Sequence, residues 1–267
     1  MSYFRDLYAT FVRVSLSIEV QYRAANVIWL MGMIMEPVIY LAVWSSVAAA
    51  QGGSVGGFSP ADFAAYYLVY AWVNQFTSDW HMWEFDARIQ HGQLAFQLLR
   101  PVHPIHGDVA ENLAHKVSQQ ATMLPALIVL GFVFHARIAW TPWAFAAFVP
   151  ALVLAFGVRF LWEWSLALTA FWTTRISAVN RAYFVLLMFL SGRVAPVGLL
   201  PNALQTLGAA LPFRWMVAFP VELLLGRLTP RDVAVGLVAQ LGWIAGGGLV
   251  LRLLWPRAVR RFASVGG

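Results

Sequence analysis

The sequence predicts an all-α polytopic membrane protein with an N-terminal amphipathic interfacial helix, six transmembrane helices and a re-entrant helical hairpin before the last of them. Three observations support this fold class. Of the 267 residues, 60% are hydrophobic and only 11% are charged, whereas soluble domains carry about 25% charged residues. The apolar residues form runs of about 20, the length of helix that crosses a hydrocarbon core of roughly 30 Å. The charged residues lie mostly between these runs.

Residues 1–23 are predicted to form an amphipathic helix that lies along the membrane surface. Apolar residues recur every three or four positions and form one stripe, made by Phe4, Leu7, Tyr8, Phe11, Val14 and Ile18. Charged residues such as Arg5 and Arg13 fall on other faces. A helix with one apolar and one charged face binds at a membrane interface. The alternative, packing against a soluble domain, requires a domain for which this chain has no room.

The transmembrane domain is predicted to occupy residues 24–254, followed by a tail at 252–267. Its six spans cover about 24–47, 62–83, 112–134, 143–171, 176–192 and 233–251. Polar residues after the second span mark its return to water. Because Pro101 and Pro104 disfavour a long helix, residues 86–108 are predicted to form a loop, with a short surface helix at Ile89–Leu99 as the alternative.

A proline-rich segment separates the fifth span from the sixth. Residues 194–213 carry no charge, but Pro196, Pro201 and Pro212 interrupt them. Irregular backbone at membrane depth is tolerated only where protein surrounds it. We therefore expect residues 194–220 to form two short half-helices that enter the membrane and return, rather than a seventh span.

The distribution of basic residues predicts the orientation in the membrane. Six spans place both termini on one side. If that side is cytoplasmic, most of the Lys and Arg residues lie inside, including the group Arg252, Arg257, Arg260 and Arg261, as the positive-inside rule requires. A seventh span would move this group outside and remove the asymmetry.

Three ionisable residues fall within predicted spans, where a charge costs about 2.5–3.5 kcal/mol on insertion scales. Arg159 and Glu163 lie four positions apart on one helical face and can neutralise each other. Either they line a transport pathway or they form an ion pair that holds the fourth span to its neighbours. Glu36, just before Pro37, either accepts backbone donors when protonated or faces a cavity.

The chain contains 13 tryptophans, more than interfacial anchoring requires. Trp29, Trp44, Trp72 and Trp162 fall inside or near spans. They are candidates for an aromatic cavity that binds an amphipathic or cationic molecule by stacking and cation–π contacts, although anchoring and packing are the usual roles of such residues.

The sequence predicts no catalytic, cofactor-binding or metal-binding residues. Gly52 to Gly57 has the glycine spacing of a phosphate-binding loop but lacks its Lys-Ser/Thr pair. Cysteine is absent, which excludes thiol chemistry and Cys-ligated metals. His103 and His106 would need further ligands to hold a metal. The basic residues are not gathered on one stripe, so nucleic-acid binding is not expected.

The order of these segments resembles the type-2 ATP-binding-cassette (ABC) permeases, in particular small six-span exporter subunits. The resemblance covers nearly the whole chain. It is carried by the loop sequence Leu98-Leu99-Arg100-Pro101 and by the proline-rich stretch from Ser191 to Arg214, with Pro220 and Gly226 after it.

The resemblance implies partners and roles. A second permease, identical or related, would complete a central pathway in the bacterial cytoplasmic (inner) membrane. Two copies of a cytoplasmic ABC ATPase would bind ATP and Mg²⁺, so this chain would not be an enzyme and would hold no cofactor. The N-terminal helix and the loop 86–108 would couple to the ATPase, with Arg88, Leu98, Leu99, Arg100 and Pro101 as contact residues. The outer gate would include Pro196, Pro201, Pro212 and Phe213.

The sequence thus favours the permease subunit of an ATP-driven exporter. Its substrate would be an amphipathic, drug-like or cationic small molecule, or a lipid- or glycan-type compound. The alternative is a secondary transporter or channel that uses Glu36, Arg159 and Glu163 as an ion relay.

Overall fold

The computed structural model describes residues 2–21, 23–173 and 176–262, with the side chains of residues 2–4, 18–20, 23–27, 29 and 30 outside that description. The described residues form helices and no β-sheet, which confirms the all-α class. The first six helices are α1 (Ser2–Gln21), α2 (Arg23–Ala50), α3 (Pro60–Thr77), α4 (His81–Gln90), α5 (Gln93–Leu98) and α6 (Ile105–Val133). The others are α7 (Pro142–Ala167), α8 (Ile176–Leu190), α9 (Asn202–Ala210), α10 (Pro212–Met216), α11 (Ala218–Leu224) and α12 (Pro230–Arg261).

Four of the described helices are long and apolar enough to cross a membrane. They correspond to α2, α6, α7 with the 3-10 turn after it, and α12. The helix α8 is apolar but only 15 residues long. The polytopic character is therefore supported, while the number of six spans stays a prediction.

The helix α3 is largely enclosed by other helices. It carries Tyr, Asn and Gln residues, and most of its side chains are buried against α2, α6, α7 and α11. A helix surrounded by protein can carry polar side chains because their hydrogen-bond partners lie within the fold. The helix ends at Thr77 and α4 begins at His81, so residues 62–83 do not form the continuous helix that the sequence predicted.

Local sequence explains where the long helices begin. Ser59 and Thr229 each form a capping box with an acidic residue three positions later, and Thr141 accepts the amide hydrogen of Ala144. A proline follows each of the three caps. Proline suits this position because the first helical N–H has no partner within the helix.

The predicted loop 86–108 is largely helical, which corrects the expectation of a loop, although α5 lies within the short surface helix that the sequence allowed at residues 89–99. Gly92, with φ of 70°, forms the turn between α4 and α5, a conformation that glycine adopts without steric strain. The helix α6 begins at Ile105, seven residues before the predicted start of the third span at 112. Pro104 precedes that helix as its N-cap and does not interrupt it.

The proline-rich segment 194–220 contains more pieces than the two half-helices predicted. A 3-10 turn at Val197–Leu199 is followed by α9 and α10, and α11 continues to Leu224. Prolines stand directly before or at the start of each of the first three pieces. The helix α11 is buried between α3 and α7. Whether the segment re-enters a membrane stays a prediction.

A stability prediction arises at the turn after α11. Gly226 has φ of +68°, and a Cβ atom there would lie 2.3 Å from the carbonyl oxygen of Ala139. Gly226→Ala is expected to lower the free energy of unfolding by about 2–3 kcal/mol, because a left-handed residue with a side chain costs roughly 1–2 kcal/mol and overpacking adds to this. Thermal unfolding in detergent measures the effect.

Gly57 offers a matched control for that substitution. It has φ of +79°, but no atom lies within 4 Å of the position that a Cβ atom would occupy there. Gly57→Ala should therefore lower the free energy of unfolding only by the cost of the left-handed backbone conformation, about 1–2 kcal/mol. Equal losses in the two variants would contradict the packing of Ala139 against the turn at Gly226.

Candidate functional site

A polar cavity of about 210 Å³ lies between α2, α3, α7 and α8. Its wall combines aromatic, amide and charged side chains, including Glu36, Tyr40, Tyr67, Tyr70, Asn74, Gln75, Arg159, Phe184 and Arg193. The rings of Tyr40 and Tyr67 stack with their centroids 5.8 Å apart. The fold thus brings Glu36 and Arg159 to one cavity, although they are far apart in the sequence.

Arg159 and Glu163 form a buried ion pair at the inner wall of this cavity. The Nε atom of Arg159 donates to Oε1 of Glu163 at 2.8 Å, and its Nη1 atom donates to Oδ1 of Asn74 at 2.9 Å. The Tyr183 hydroxyl donates to the same Glu163 oxygen at 3.0 Å. The second oxygen, Oε2, has no hydrogen-bond partner among the described residues. The pair therefore joins α7 to α3 and α8, and Arg159 also lines the cavity.

Glu36 forms a bidentate ion pair with Arg193. Arg193 Nε donates to Oε1 of Glu36 at 2.7 Å, and its Nη2 atom contacts Oε2. The sequence indicated that Glu36 would face a cavity or bind backbone donors, but it did not identify Arg193, which lies 157 positions away. The pair ties α2 to the start of the proline-rich segment.

Aromatic side chains hold the turn at residues 192–194, which contains Arg193, in place. The hydroxyl of Tyr66 donates to the carbonyl of Gly192 at 2.8 Å, and Tyr67 and Trp44 both donate to the carbonyl of Val194. Gly192 has φ of +82°, and a Cβ there would approach the Tyr66 hydroxyl to 2.3 Å. The turn at 192–194 is thus fixed by α2 and α3, a role for these tyrosines that the sequence did not reveal.

Three of the four tryptophans proposed for an aromatic cavity pack against different aromatic partners. Trp44 stacks on Phe63, Trp72 packs on Phe148, and Trp162 packs on Trp243 and donates to its carbonyl. The side chain of Trp29 lies outside the described residues. Tyrosines, rather than these tryptophans, supply the rings of the polar cavity.

Of the residues proposed for the outer gate, Pro196, Pro212 and Phe213 are buried and Pro201 is exposed. Pro196 and Pro201 begin the 3-10 turn and α9, where the backbone is extended. Pro212 and Phe213 are buried at the start of α10. The ring of Phe213 packs against Tyr183, with centroids 5.5 Å apart. This contact links α10 to the residue that binds Glu163.

At another part of the chain, α4, α5 and the start of α6 form a compact unit beside α1. Arg88 is buried here and donates to Oδ1 of Asp108 at 2.7 Å and to Glu84 at 3.2 Å. Its guanidinium is therefore not available as the external contact that the sequence proposed. The Tyr8 hydroxyl lies 2.8 Å from Nδ1 of His106 and connects α1 to α6.

The exposed surface of this unit is apolar at its tip. Phe96 is 71% exposed and Leu99 is 83% exposed, whereas Leu94 on the opposite face of α5 is fully buried. Arg100 and Pro101 next to them are exposed, and Leu98 is partly buried. We name this surface, formed by Phe96, Leu99, Arg100 and Pro101, the α5 tip.

A second charged cluster surrounds His81 at the start of α4. Its Nδ1 atom lies 2.5 Å from Oδ1 of Asp79, and Asn112 donates to the same oxygen at 2.6 Å. Burial lowers the pKa of His81, but the negative charge of Asp79 outweighs burial, and the pKa rises to about 10. The surroundings of His81 therefore attract positive charge.

His103 and His106 are not part of this cluster. The Nδ1 atom of His103 accepts the amide hydrogen of Ile105 at 3.2 Å, and its ring packs against Trp255. Burial also lowers the pKa of His103. These contacts give His103 a capping and packing role at the start of α6.

Comparison with known proteins gives one match. The family model described as "ABC-2 family transporter protein" matches residues 15–266. No curated protein and no solved structure gives a significant match to the chain.

Proposed function

Because this chain belongs to the ABC-2 family of transporter proteins, in which it is a membrane permease component, we propose that it is the permease of an ATP-driven exporter. A second permease would complete the pathway, and two copies of a separate cytoplasmic ATPase would bind ATP and Mg²⁺. The observation that carries this proposal is the polar cavity, in which buried charges and stacked tyrosines meet within apolar helices.

The size of the cavity supports a second permease. Sites for drug-sized ligands enclose about 300–1,000 Å³, and the polar cavity measures about 210 Å³. The cavity reaches the surface at Glu36, whose side chain is 41% exposed. The face of α2 beside it is apolar and exposed, with Ile28, Met31, Met35, Ile39 and Val43. We propose that another permease packs along α2 and supplies the opposite wall.

The chemistry of the cavity supports an amphipathic substrate. The stacked rings of Tyr40 and Tyr67 offer an apolar surface, while the Glu36–Arg193 pair and Asn74 offer hydrogen bonds. A lipid- or glycan-type compound and a drug-like cation both combine these features. The proline-rich segment would form the outer gate, since the turn at 192–194 is bound directly to the cavity wall.

The α5 tip supports coupling to an ATPase. Exposed apolar side chains beside polar ones are typical of protein interaction sites, and an apolar tip without a partner is unfavourable in water. We propose that the ATPase binds Phe96 and Leu99, and that α1, which packs along α6, completes the contact. In this proposal the α5 tip and both termini would face the cytoplasm and the chain would lie in a bacterial inner membrane, the orientation that the arginine distribution favours.

The decisive experiment isolates the assembly in mild detergent and identifies its subunits. We expect two permeases and two copies of an ABC ATPase, with ATP hydrolysis only in the complete assembly. In parallel, vesicles that contain this chain alone should move no amphipathic dye, with or without ATP. Full-speed transport by the chain alone would instead support the ion-relay alternative.

A further inference from the structure

His81 presents an unused ligand atom inside the protein. Its side chain is completely buried, and its Nδ1 atom is bound to Asp79. The other ring nitrogen, Nε2, has no hydrogen-bond partner among the described residues. Buried polar atoms nearly always have a partner, so this nitrogen requires an explanation.

Two carboxylates face that nitrogen. The distance from His81 Nε2 to Oδ1 of Asp108 is 3.5 Å, and the distance to Oε2 of Glu111 is 3.8 Å. The three ligand atoms all lie within 4.8 Å of one another. In a tetrahedral zinc site with bonds of about 2.1 Å, ligand atoms are roughly 3.4 Å apart. Small side-chain movements would therefore bring all three atoms to one ion.

The surrounding contacts resemble those that orient metal ligands. A metal-binding histidine usually donates its other N–H to a carboxylate, and Asp79 accepts such a bond from His81 here. Asp108 is held by Arg88 at Oδ1 and by Trp164 at Oδ2. A carboxylate oxygen has two lone pairs, so Oδ1 of Asp108 can accept from Arg88 and also face an ion.

The charges of the cluster also favour a cation. The carboxylates that meet there are Asp79, Glu84, Asp108 and Glu111. Arg88 and Lys116 offset them only in part. The same carboxylates also favour a proton on His81, and a bound ion would replace that proton at Nε2.

An ion has a route to this cluster. A surface cavity of about 350 Å³ lies between α1 and the residues that lead into α6, and both Asp108 and Glu111 line it. The side chain of Glu111 is 47% exposed. Glu111 and the cavity that it shares with Asp108 are thus open to water, and His81 lies directly behind these two carboxylates.

We propose that His81, Asp108 and Glu111 bind one divalent transition-metal ion of the zinc type. One imidazole and two carboxylates suit such an ion better than Mg²⁺ or Ca²⁺, which prefer oxygen ligands alone. The ion would join the first residue of α4 to the first turns of α6. It would therefore connect α4, which leads to the α5 tip, to the long helix α6, independently of the identity of the substrate.

The test measures binding of Zn²⁺ alone to the purified full chain, prepared without a polyhistidine tag. Metal analysis after dialysis should find one zinc per chain, and zinc should raise the unfolding temperature. Glu111→Gln and His81→Gln should each weaken zinc binding at least about tenfold. An equal concentration of Mg²⁺ should not displace the zinc.

Glu84→Gln is the matched control. Glu84 belongs to the same cluster and is 49% exposed, much as Glu111 is, but it is not one of the three ligands. The Glu84→Gln variant should bind zinc with an affinity within about threefold of that of the unchanged chain. The proposal is overturned if the folded chain retains no zinc, if Glu111→Gln and Glu84→Gln bind it equally, or if Mg²⁺ displaces it.

Discussion

Replacing Arg159 alone is expected to destabilise the protein by about 3–5 kcal/mol, because removal of one partner leaves the other charge buried without compensation. Arg159→Met would leave Glu163 with a single described hydrogen bond, from Tyr183, and would free Asn74 and Thr77 at the cavity wall. Glu163→Gln would in the same way leave the Arg159 guanidinium buried without a negative partner. The unfolding temperature and the monodisperse yield in detergent measure both losses.

The double variant Arg159→Met/Glu163→Gln tests whether the loss in each single variant comes from the unpaired buried charge. It removes both charges, so its loss should be smaller than the sum of the two single losses by more than about 1 kcal/mol. Arg260→Met serves as a control, since Arg260 is exposed on α12 and donates only to a carbonyl of its own helix. If the loss of the double variant equals the sum of the two single losses, Arg159 and Glu163 are not a coupled pair.

Changing the α5 tip should separate the chain from its ATPase while leaving the chain folded. Phe96→Asp/Leu99→Asp removes two of the most exposed apolar side chains of the protein. If the ATPase covers them, the interface should weaken by at least about 2 kcal/mol, roughly thirtyfold in Kd. Co-purification and permease-dependent ATP hydrolysis should both fall, while the unfolding temperature of the free chain should hardly change.

The control for this variant is Gln93→Asp. Gln93 is exposed at the start of the same short helix, so the substitution adds negative charge without removing apolar surface. We expect near-normal ATPase binding in this variant. If Phe96→Asp/Leu99→Asp binds the ATPase as well as Gln93→Asp does, the α5 tip is not the contact surface. Arg88→Glu would be uninformative here, because Arg88 is buried against Asp108.

The sequence is most informative where local pattern and chemistry coincide. The apolar runs predict α2, α6, α7 and α12, and the four-residue spacing of Arg159 and Glu163 indicates that they share a helical face. The sequence is least informative at its prolines. Pro104 predicts an interruption, yet it lies at the start of α6, since proline both ends one segment and suits the first turn of the next.

What the sequence determined by itself is the class of the molecule: its composition and run lengths require a helical membrane protein, because lipid accepts only segments that satisfy their own backbone hydrogen bonds. Only the tertiary structure decided which polar residues meet. Glu36 reaches Arg193, and His81 reaches Asp108 and Glu111, through helix packing that leaves no periodic signal in the chain. Contacts between helices depend on how side chains fill the space between them, and sequence spacing does not encode that arrangement directly.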